Sequence, residues 1–558
     1  MSKTLGNQTV EWNKVNWRRL EKTLYKLQKR IFRASQRGDT RVVRKLQKTL
    51  IKSWTAKMIA VRRVTQENKG KNTAGIDEVK SLKPEQRPAL VASLNVSERA
   101  KPTRRVWIPK PGRTEKRPLS IPTMYDRALQ ALTKLALEPE WEAKFEPNSY
   151  GFRPGRSCHD AIEAIFNYIR QKPKWVLDAD IAKCFDKINH DALLTKLNTY
   201  PSMRRLIKSW LKAGVMDKRV FSPTEEGTPQ GGVISPLLAN IALHGMEQRV
   251  WEYANSIPRK KTHYKSGLGL VRYADDFVCM HPDKTVIEDL KKVINDWLKD
   301  MGLELKPSKT KISHTMDGFD FLGFNVKQHK VGKNHSKQGF KTIIKPSKEK
   351  VQEHYGEIAD VIERHKAAPQ KALISHLKPK IRGWCNYYST VCSKETFNDL
   401  GNLLWNKLQR WGYRRHPKKS KTWVNNKYWG TVGNNKWVFK DGDDYLPKHV
   451  WKEIKRHVKV QETRSPYDGD SVYWSTRMGK HPEMTSQKAR LLKRQKGKCA
   501  HCGLTFREKD LMEKHHVLPK ALGGKDSDKN LELLHLHCHD AKHGKKINST
   551  MELDANPW

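Results

Sequence analysis

The sequence predicts an α+β chain of several domains: a core of mixed strands and helices between two basic helical regions, followed by a small metal-stapled module. Three observations carry this. The chain has 558 residues, more than a single hydrophobic core organises. Short apolar runs of strand length alternate with helical spacing from Arg105 to about Val331. Three of the eight cysteines, Cys499, Cys502 and Cys538, fall together among histidines near the C-terminus.

Charge narrows the function. Lys and Arg number 109 against 59 Asp and Glu, a formal charge of +50. Such an excess resists compaction unless a polyanion is near, so nucleic acid is the expected partner. No apolar run reaches membrane-spanning length, and MSKTLGNQTVEW has no apolar signal-peptide core, so no membrane partner is expected. Cys158, Cys184, Cys279, Cys385 and Cys392 are scattered, which suits a reducing cytoplasm better than a disulfide framework.

Taken in order, the first 60 residues carry 16 Lys/Arg against three acids. Trp17, Leu20, Leu24, Leu27 and Ile31 recur at helical spacing; after Gly38-Asp39, so do Val43, Leu46, Leu50 and Trp54. This reads as a helical hairpin with one apolar seam and one phosphate-binding cationic face. Next, Arg105–Pro109, Arg117–Ile121, Trp175–Ile181, Leu270–Tyr273 and Phe277–Met280 read as strands, and Met124–Leu137 and Pro236–Met246 as helices. From about Pro346 to Lys440 the pattern is helical and basic. Residues 401–460 hold 15 Lys/Arg against four acids, interleaved with Trp405, Trp411, Trp423, Trp429, Trp437 and Trp451, a mixture that suits stacking on bases and contact with phosphates. Ser465–Met484 reads as a linker.

The chemistry concentrates in carboxylates. Leu270 to Val278 places Asp275 and Asp276 between two apolar stretches, at the tip of a hairpin. Val176 to Ile181 ends a strand with Asp180. Across adjacent strands Asp180 and Asp275 meet and can hold two divalent cations; hard oxygen donors select Mg²⁺.

These acids stand in an ordered series: Arg105-Val-Trp-Ile-Pro-Lys110, Lys116-Arg117-Pro-Leu-Ser-Ile-Pro122, Asn148-Ser-Tyr-Gly-Phe-Arg-Pro-Gly155, Asp178-Ala-Asp-Ile with Phe185-Asp186, Gly227-Thr-Pro-Gln-Gly-Gly-Val-Ile-Ser-Pro236, Tyr273-Ala-Asp-Asp276, Leu305 through Thr310, and Phe321-Leu-Gly-Phe324. The series resembles the reverse transcriptases encoded by group II introns. The resemblance implies a right-hand polymerase with fingers and palm. It makes Asp180, Asp275 and Asp276 the Mg²⁺-binding triad, and Lys110 and Arg117 the holders of the incoming triphosphate. It makes Phe185 the gate against a ribose 2′-hydroxyl, and Gln230 a residue of the nucleotide pocket. Structural roles are expected for Asp178 and Asp186. Trp17 through Leu50 resembles the family's N-terminal extension. Leu377 through Tyr388 and Arg414-Arg-His-Pro-Lys-Lys-Ser420 resemble its helical thumb, the maturase domain that grips intron RNA. Lys380, Arg382, Tyr387, Tyr388, Arg414 and Arg415 are the expected RNA contacts.

At the C-terminus, Cys499-Ala-His-Cys502 is followed by His535-Leu-His-Cys538, a paired spacing that fits structural Zn²⁺. Between and beyond the pairs lie His515-His516, Asn530 and His539, which resemble the HNH nuclease motif of a ββα-metal fold. That implies His516 as general base, Asn530 as its orienting residue, and His515 and His539 as ligands of the nuclease metal. His543, four residues after His539 on one helix face, offers a further ligand or a phosphate contact.

The expected organisation is a basic helical extension at 1–75, fingers and palm at 76–335, thumb at 336–440, a DNA-binding region and linker at 441–485, and an HNH endonuclease at 486–558. The expected protein is an RNA-directed DNA polymerase, an intron maturase and a DNA endonuclease, acting on intron RNA, target DNA and dNTPs. Its place would be a bacterial cytoplasm at the nucleoid, or an organelle that encodes it. The alternative is a splicing-only maturase whose polymerase and nuclease sites are dispensable.

Overall fold

The computed structural model describes residues 11–96, 99–109, 115–218, 220–256, 267–507 and 510–543. The basic hairpin forms as helices Trp17–Gln36 and Thr40–Lys52. Asn16 and Asp39 cap them by accepting from the Arg19 and Val42 N–H groups, and Gly38, at φ +72°, lets the chain reverse. Leu24, Ile31, Val43, Leu46 and Leu50 are buried. The seam lies on helix Met124–Glu142: Gln28 Nε2 donates to Leu135 O (2.9 Å) and Gln47 Nε2 to Glu140 Oε2 (2.7 Å). Arg19, Lys22, Lys26, Arg30, Arg37 and Arg41 stay exposed on the other face. Trp54 is the exception to the expected seam. Ser53 takes an extended conformation, and Trp54 opens a third helix, Trp54–Arg62, with its ring 47% exposed.

The next eight strands are β1 (Thr103–Pro109), β2 (Lys116–Ile121), β3 (Trp175–Asp180), β4 (Val215–Asp217), β5 (Val220–Ser222), β6 (Gly269–Tyr273), β7 (Asp276–His281) and β8 (Lys311–His314). They form two four-stranded sheets, ordered β2-β1-β4-β5 and β6-β7-β3-β8. The second sheet is antiparallel throughout, so the end of β3 and the start of β7 lie at the same end of the sheet. The helix expected at Pro236–Met246 is two, Ser235–Leu243 and Met246–Ser256. They are separated at Gly245, whose φ of +97° no helix accommodates.

A three-stranded sheet follows, with β9 (Phe319–Phe321), β10 (Phe324–Lys330) and β11 (Phe340–Pro346) in the order β11-β10-β9. Four helices come next: Lys348–Arg364, Gln370–Tyr388, Lys394–Arg415 and Lys421–Tyr428. The helical expectation then fails. Residues 429–445 form an antiparallel meander of β12 (Trp429–Val432), β13 (Asn435–Asp441) and β14 (Asp444–Tyr445). Here Trp429, Val438, Phe439 and Leu446 bury against the helices, and turns at Gly433 and Gly442 supply the left-handed residues that tight reversals need.

Ser465–Met484 is not a free linker either. It contains helix Ser471–Met478, and Trp474 is fully buried. The Tyr467 hydroxyl donates to Glu138 Oε2 (2.7 Å), Arg477 pairs with Asp160, and Lys29 pairs with Glu483 (2.9 Å). These contacts clamp the segment to the body before the small C-terminal unit begins. That unit has β15 (Met512–His516), β16 (Leu531–His535) and helix Leu536–Lys542 around its own core of Leu491, Leu492, Phe506, Leu531 and Leu533. Among the described residues no helix is long and apolar enough to cross a membrane.

Candidate functional site

The β6–β7 hairpin closes on the pair Tyr273 and Asp276, leaving Ala274 and Asp275 in the turn. Asp276 lies opposite Asp180 across β7 and β3. Three carboxylates therefore meet at one end of a sheet. Ala274 sits at φ +58°, which costs a non-glycine residue about 1 kcal/mol or more and persists only where neighbours enforce it. Here they do. Arg272, fully buried, donates from Nη1 to Ala274 O and to Asn240 Oδ1 (both 3.1 Å), and Asn240 Nδ2 donates to Gly151 O (2.8 Å). Gly151 presses so close that a Cβ there would lie 2.2 Å from Ala274 N. Asn148 and Tyr150 add themselves to β6 through Arg272 N–H to Asn148 O and Tyr150 N–H to Arg272 O.

Arg153 anchors that segment. Its guanidinium meets Glu142 in a fork (2.9 and 3.0 Å) and donates to Glu146 O and Ser149 O, with both side chains only 1% exposed. Removing one member leaves a buried charge alone. Arg153→Met is therefore expected to lower unfolding stability by about 3–5 kcal/mol in urea titration; a change under ~1 kcal/mol would show that the fork holds nothing.

Burial raises the Asp275 carboxyl above its ordinary range, and burial together with Asp275 and Asp180 pushes Asp276 up to about 7. Lys309 Nζ lies 2.6 Å from Asp180 Oδ2. One ammonium against three carboxylates leaves an anionic excess of hard oxygen donors, which fits Mg²⁺. Asp178, on the same strand, is also raised to about 7, first by burial and then by Asp276.

The triad opens onto a cleft of about 800 Å³, also lined by Arg117, Phe152, Phe185 and Gln230. Arg117 is exposed on β2, and its charge favours the ionised form of Asp275. Lys110 lies outside the described residues. Gln230 Nε2 donates to both oxygens of Asp186 (2.9 and 3.0 Å), and the Gln230 carbonyl accepts from Ser120 N–H. Asp186 thus orients Gln230. Phe185 is half-buried and meets Phe152 edge-on, with centroids 6.1 Å apart at 79°. Sequence reading passed over Phe152. It is 47% exposed at φ +58°, a strained aromatic at the mouth of a cleft, and that conformation is invisible in a one-dimensional pattern.

The expected RNA contacts divide. Arg382 and Arg414 are exposed, Arg414 within 3.6 Å of Glu363, and Lys380 pairs with Glu357 (2.8 Å). Arg415 is turned inward. It donates to the carbonyls of Lys366 and Ala368 and covers Trp411, so it braces the helices. Tyr388 is 4% exposed and donates to Gly323 O, and Tyr387 stacks on Phe324 and donates to Leu322 O. Both rings lock the β9–β10 turn to helix Gln370–Tyr388. Tyr388 is buried in this contact and Tyr387 half-buried.

In the C-terminal unit, Cys499, Cys502, His535 and Cys538 place their ligand atoms within 4.8 Å of one another. His535 Nδ1 faces Cys502 Sγ (3.4 Å) while Nε2 faces Asp510 (3.3 Å), the carboxylate–histidine arrangement that fixes a ligating imidazole. This soft, compact donor set fits Zn²⁺. A second group joins His515, His539 and His543, also within 4.8 Å. His516 is the next residue along β15 after His515, with Nε2 2.7 Å from Asp526 Oδ1. Among the described residues no hydrogen bond joins the Asn530 side chain to His516. Asn530 Oδ1 accepts from Leu518 N–H and its Nδ2 donates to the carbonyls of Leu518 and Lys525, so it staples the loop that delivers Asp526. Asp526 is a second residue that the sequence reading missed; only the closed loop brings it to His516.

Comparison with known proteins agrees with this layout. Family models match for a reverse transcriptase (RNA-dependent DNA polymerase) over residues 108–326, an N-terminal domain of reverse transcriptase over 12–94, a group II intron maturase-specific domain over 351–429, and an HNH endonuclease over 499–545. Protein YkfC of Escherichia coli K12 is 33% identical over 317 residues, spanning 50% of this chain and 82% of that one. The group II intron-encoded protein LtrA of Lactococcus lactis is 27% identical over 567 residues, spanning 85% and 91%. A putative COX1/OXI3 intron 2 protein of Saccharomyces cerevisiae is 31% identical over 279 residues, spanning 40% of this chain and 32% of that one.

Proposed function

From the premise that this chain belongs to the group II intron-encoded proteins, which join a reverse transcriptase to a maturase domain and an HNH endonuclease, we propose which of its residues do the work. The protein is an RNA-directed DNA polymerase, an RNA maturase and a DNA endonuclease. The sheet β2-β1-β4-β5 serves as fingers, β6-β7-β3-β8 as palm, and the helices from Lys348 to Tyr428 as thumb. Intron RNA lies along the thumb and the exposed cationic face of the N-terminal helices. Target DNA and dNTPs are the other partners, with residues 441–485 on the DNA side.

The observation that carries the polymerase reading is the meeting of Asp180, Asp275 and Asp276 at one end of the sheet before a cleft whose walls hold Arg117, Phe185 and Gln230. These three acids would hold Mg²⁺, which activates a primer 3′-hydroxyl and stabilises departing pyrophosphate. The residues supply the rest. Arg117 takes triphosphate oxygens by charge-assisted hydrogen bonds, a role that the family resemblance also implies for Lys110. Phe185, held edge-on by Phe152, fills the space that a ribose 2′-hydroxyl would need. Gln230, fixed by Asp186, lines the pocket beside it. Primer extension on poly(rA)/oligo(dT) with Mg²⁺ tests the reading: dTMP incorporation is expected, and its absence would leave the splicing-only maturase. Phe185→Ala should admit ribonucleotides roughly 10- to 100-fold more readily, with dNTP use largely retained; unchanged discrimination would refute the gate.

In the HNH unit, Asp526 takes the Nε2 proton of His516 in a hydrogen bond, which leaves Nδ1 as the base that draws a proton from water. His515, His539 and His543 would hold the nuclease metal, and the Cys499, Cys502, His535 and Cys538 set would hold Zn²⁺ as a staple. His516→Ala is expected to cut DNA-strand nicking by the protein–intron RNA complex about 10²- to 10⁴-fold while splicing persists; equal loss of both would indicate a folding defect instead.

A further inference from the structure

A second cleft, of about 600 Å³, lies between helix Lys394–Arg415 and the β12–β14 meander, and none of the chemistry above uses it. Its walls are aromatic. The Trp405 ring packs 5.1 Å from Trp429 and stands at 89° to Trp437, 6.2 Å away. Trp437 is 52% exposed, a large apolar surface left facing water. Among the described residues, two buried polar atoms of the lining have no hydrogen-bond partner: Asn425 Oδ1 and His449 Nδ1. Buried polar atoms are ordinarily satisfied, so a pair of orphans in one cleft suggests that something else satisfies them. Much of the chain that builds it is strongly cationic, with 15 Lys/Arg against four acids over residues 401–460 and Lys448 in the lining itself.

We propose that this cleft is a nucleobase pocket, which takes one unstacked base of single-stranded RNA against the Trp437 and Trp405 rings with the base edge toward Asn425. Each observation selects that occupant. Flat apolar walls at right angles suit a flat ring better than an alkyl chain. An amide oxygen without a donor suits an exocyclic amino group, as on adenine or cytosine. Cations along that chain suit a polyanionic strand rather than a neutral or cationic peptide. The proposal deepens the reading of the maturase region as RNA-binding and rests on it.

The test compares full-length wild-type protein with Trp437→Ala and Asn425→Leu in binding a short oligoadenylate and an abasic strand with the same ribose-phosphate backbone. Trp437→Ala should weaken oligoadenylate binding roughly tenfold. It should leave abasic-strand binding, the salt dependence of affinity and primer extension unchanged, because no phosphate contact is lost. Asn425→Leu removes an unpartnered acceptor, so it keeps the fold and should show the same pattern at several-fold. It decides the matter if Trp437→Ala fails to fold. Unchanged oligoadenylate affinity in the folded variants, or equal losses on both strands, would overturn the pocket while the wild type's RNA binding stands. A wild type that binds neither strand would overturn the RNA reading and the pocket together.

Discussion

Asp275→Asn is expected to abolish primer extension, by roughly 10³-fold or more, because it removes one oxygen donor from a three-carboxylate site on which transition-state charge stabilisation depends. The same change should stabilise the metal-free protein at neutral pH. Burial, then Asp180, holds Asp275 above its ordinary range, and burial, then Asp275 and Asp180, holds Asp276 at about 7. The folded state therefore binds more protons than the unfolded state between about pH 4 and pH 7, so metal-free stability falls as pH rises through that window. Asn removes one charge from the crowd and flattens the fall. Mg²⁺ should raise the melting temperature of the wild type and leave that of the variant nearly unchanged. Full activity in Asp275→Asn, or a metal-free stability that rises from pH 4 to pH 7, would contradict the assignment. The site is thus one where stability is given up for function.

The second large effect concerns the C-terminal unit. Its core is a handful of residues around Leu491, Leu531 and Leu533, too few to hold a module of this size without a staple. Structural Zn²⁺ contributes on the order of 10 kcal/mol of apparent folding free energy in comparable small sites. Cys538→Ser, or a zinc chelator, should therefore unfold residues beyond Met484, expose them to protease and end DNA nicking. Primer extension, with Mg²⁺ restored, should survive. Ser465–Met484 is the reason for the sharp border: Trp474, Tyr467 and Arg477 bind that segment to the polymerase body, so unfolding stops there. Native mass spectrometry should show one zinc fewer in Cys538→Ser; a wild type without zinc would remove the staple from the account.

Much of the candidate site was legible in one dimension because it is local. Asp275 and Asp276 sit in a hairpin whose two strands adjoin in sequence. Cys499 and Cys502, like His535 and Cys538, are spaced for one ion. The helical hairpin showed its apolar seam as far as Leu50. The same logic misled where spacing is ambiguous. Residues 429–445 mix Trp, Lys and Asn at intervals that suit a basic helix as well as a meander, and only burial of Trp429, Val438 and Phe439 against distant helices chose the meander. Tyr387 and Tyr388 share a helix with the exposed Arg382, yet their hydroxyls reach the β9–β10 turn, and Tyr388 is buried there.

The sequence by itself set Asp275 beside Asp276, Cys499 near Cys502 and His535 near Cys538, pairs that lie close in any fold, and its ordered motifs implied the reaction chemistry through their resemblance to a known family. Tertiary structure alone decided what holds those groups in place. Gly151 against Ala274, Arg153 in its fork with Glu142, Phe152 edge-on to Phe185 and Asp526 at His516 are contacts between segments that local spacing does not pair. The physical reason is that burial and orientation depend on what arrives from elsewhere in the chain, while ligand spacing depends only on neighbours.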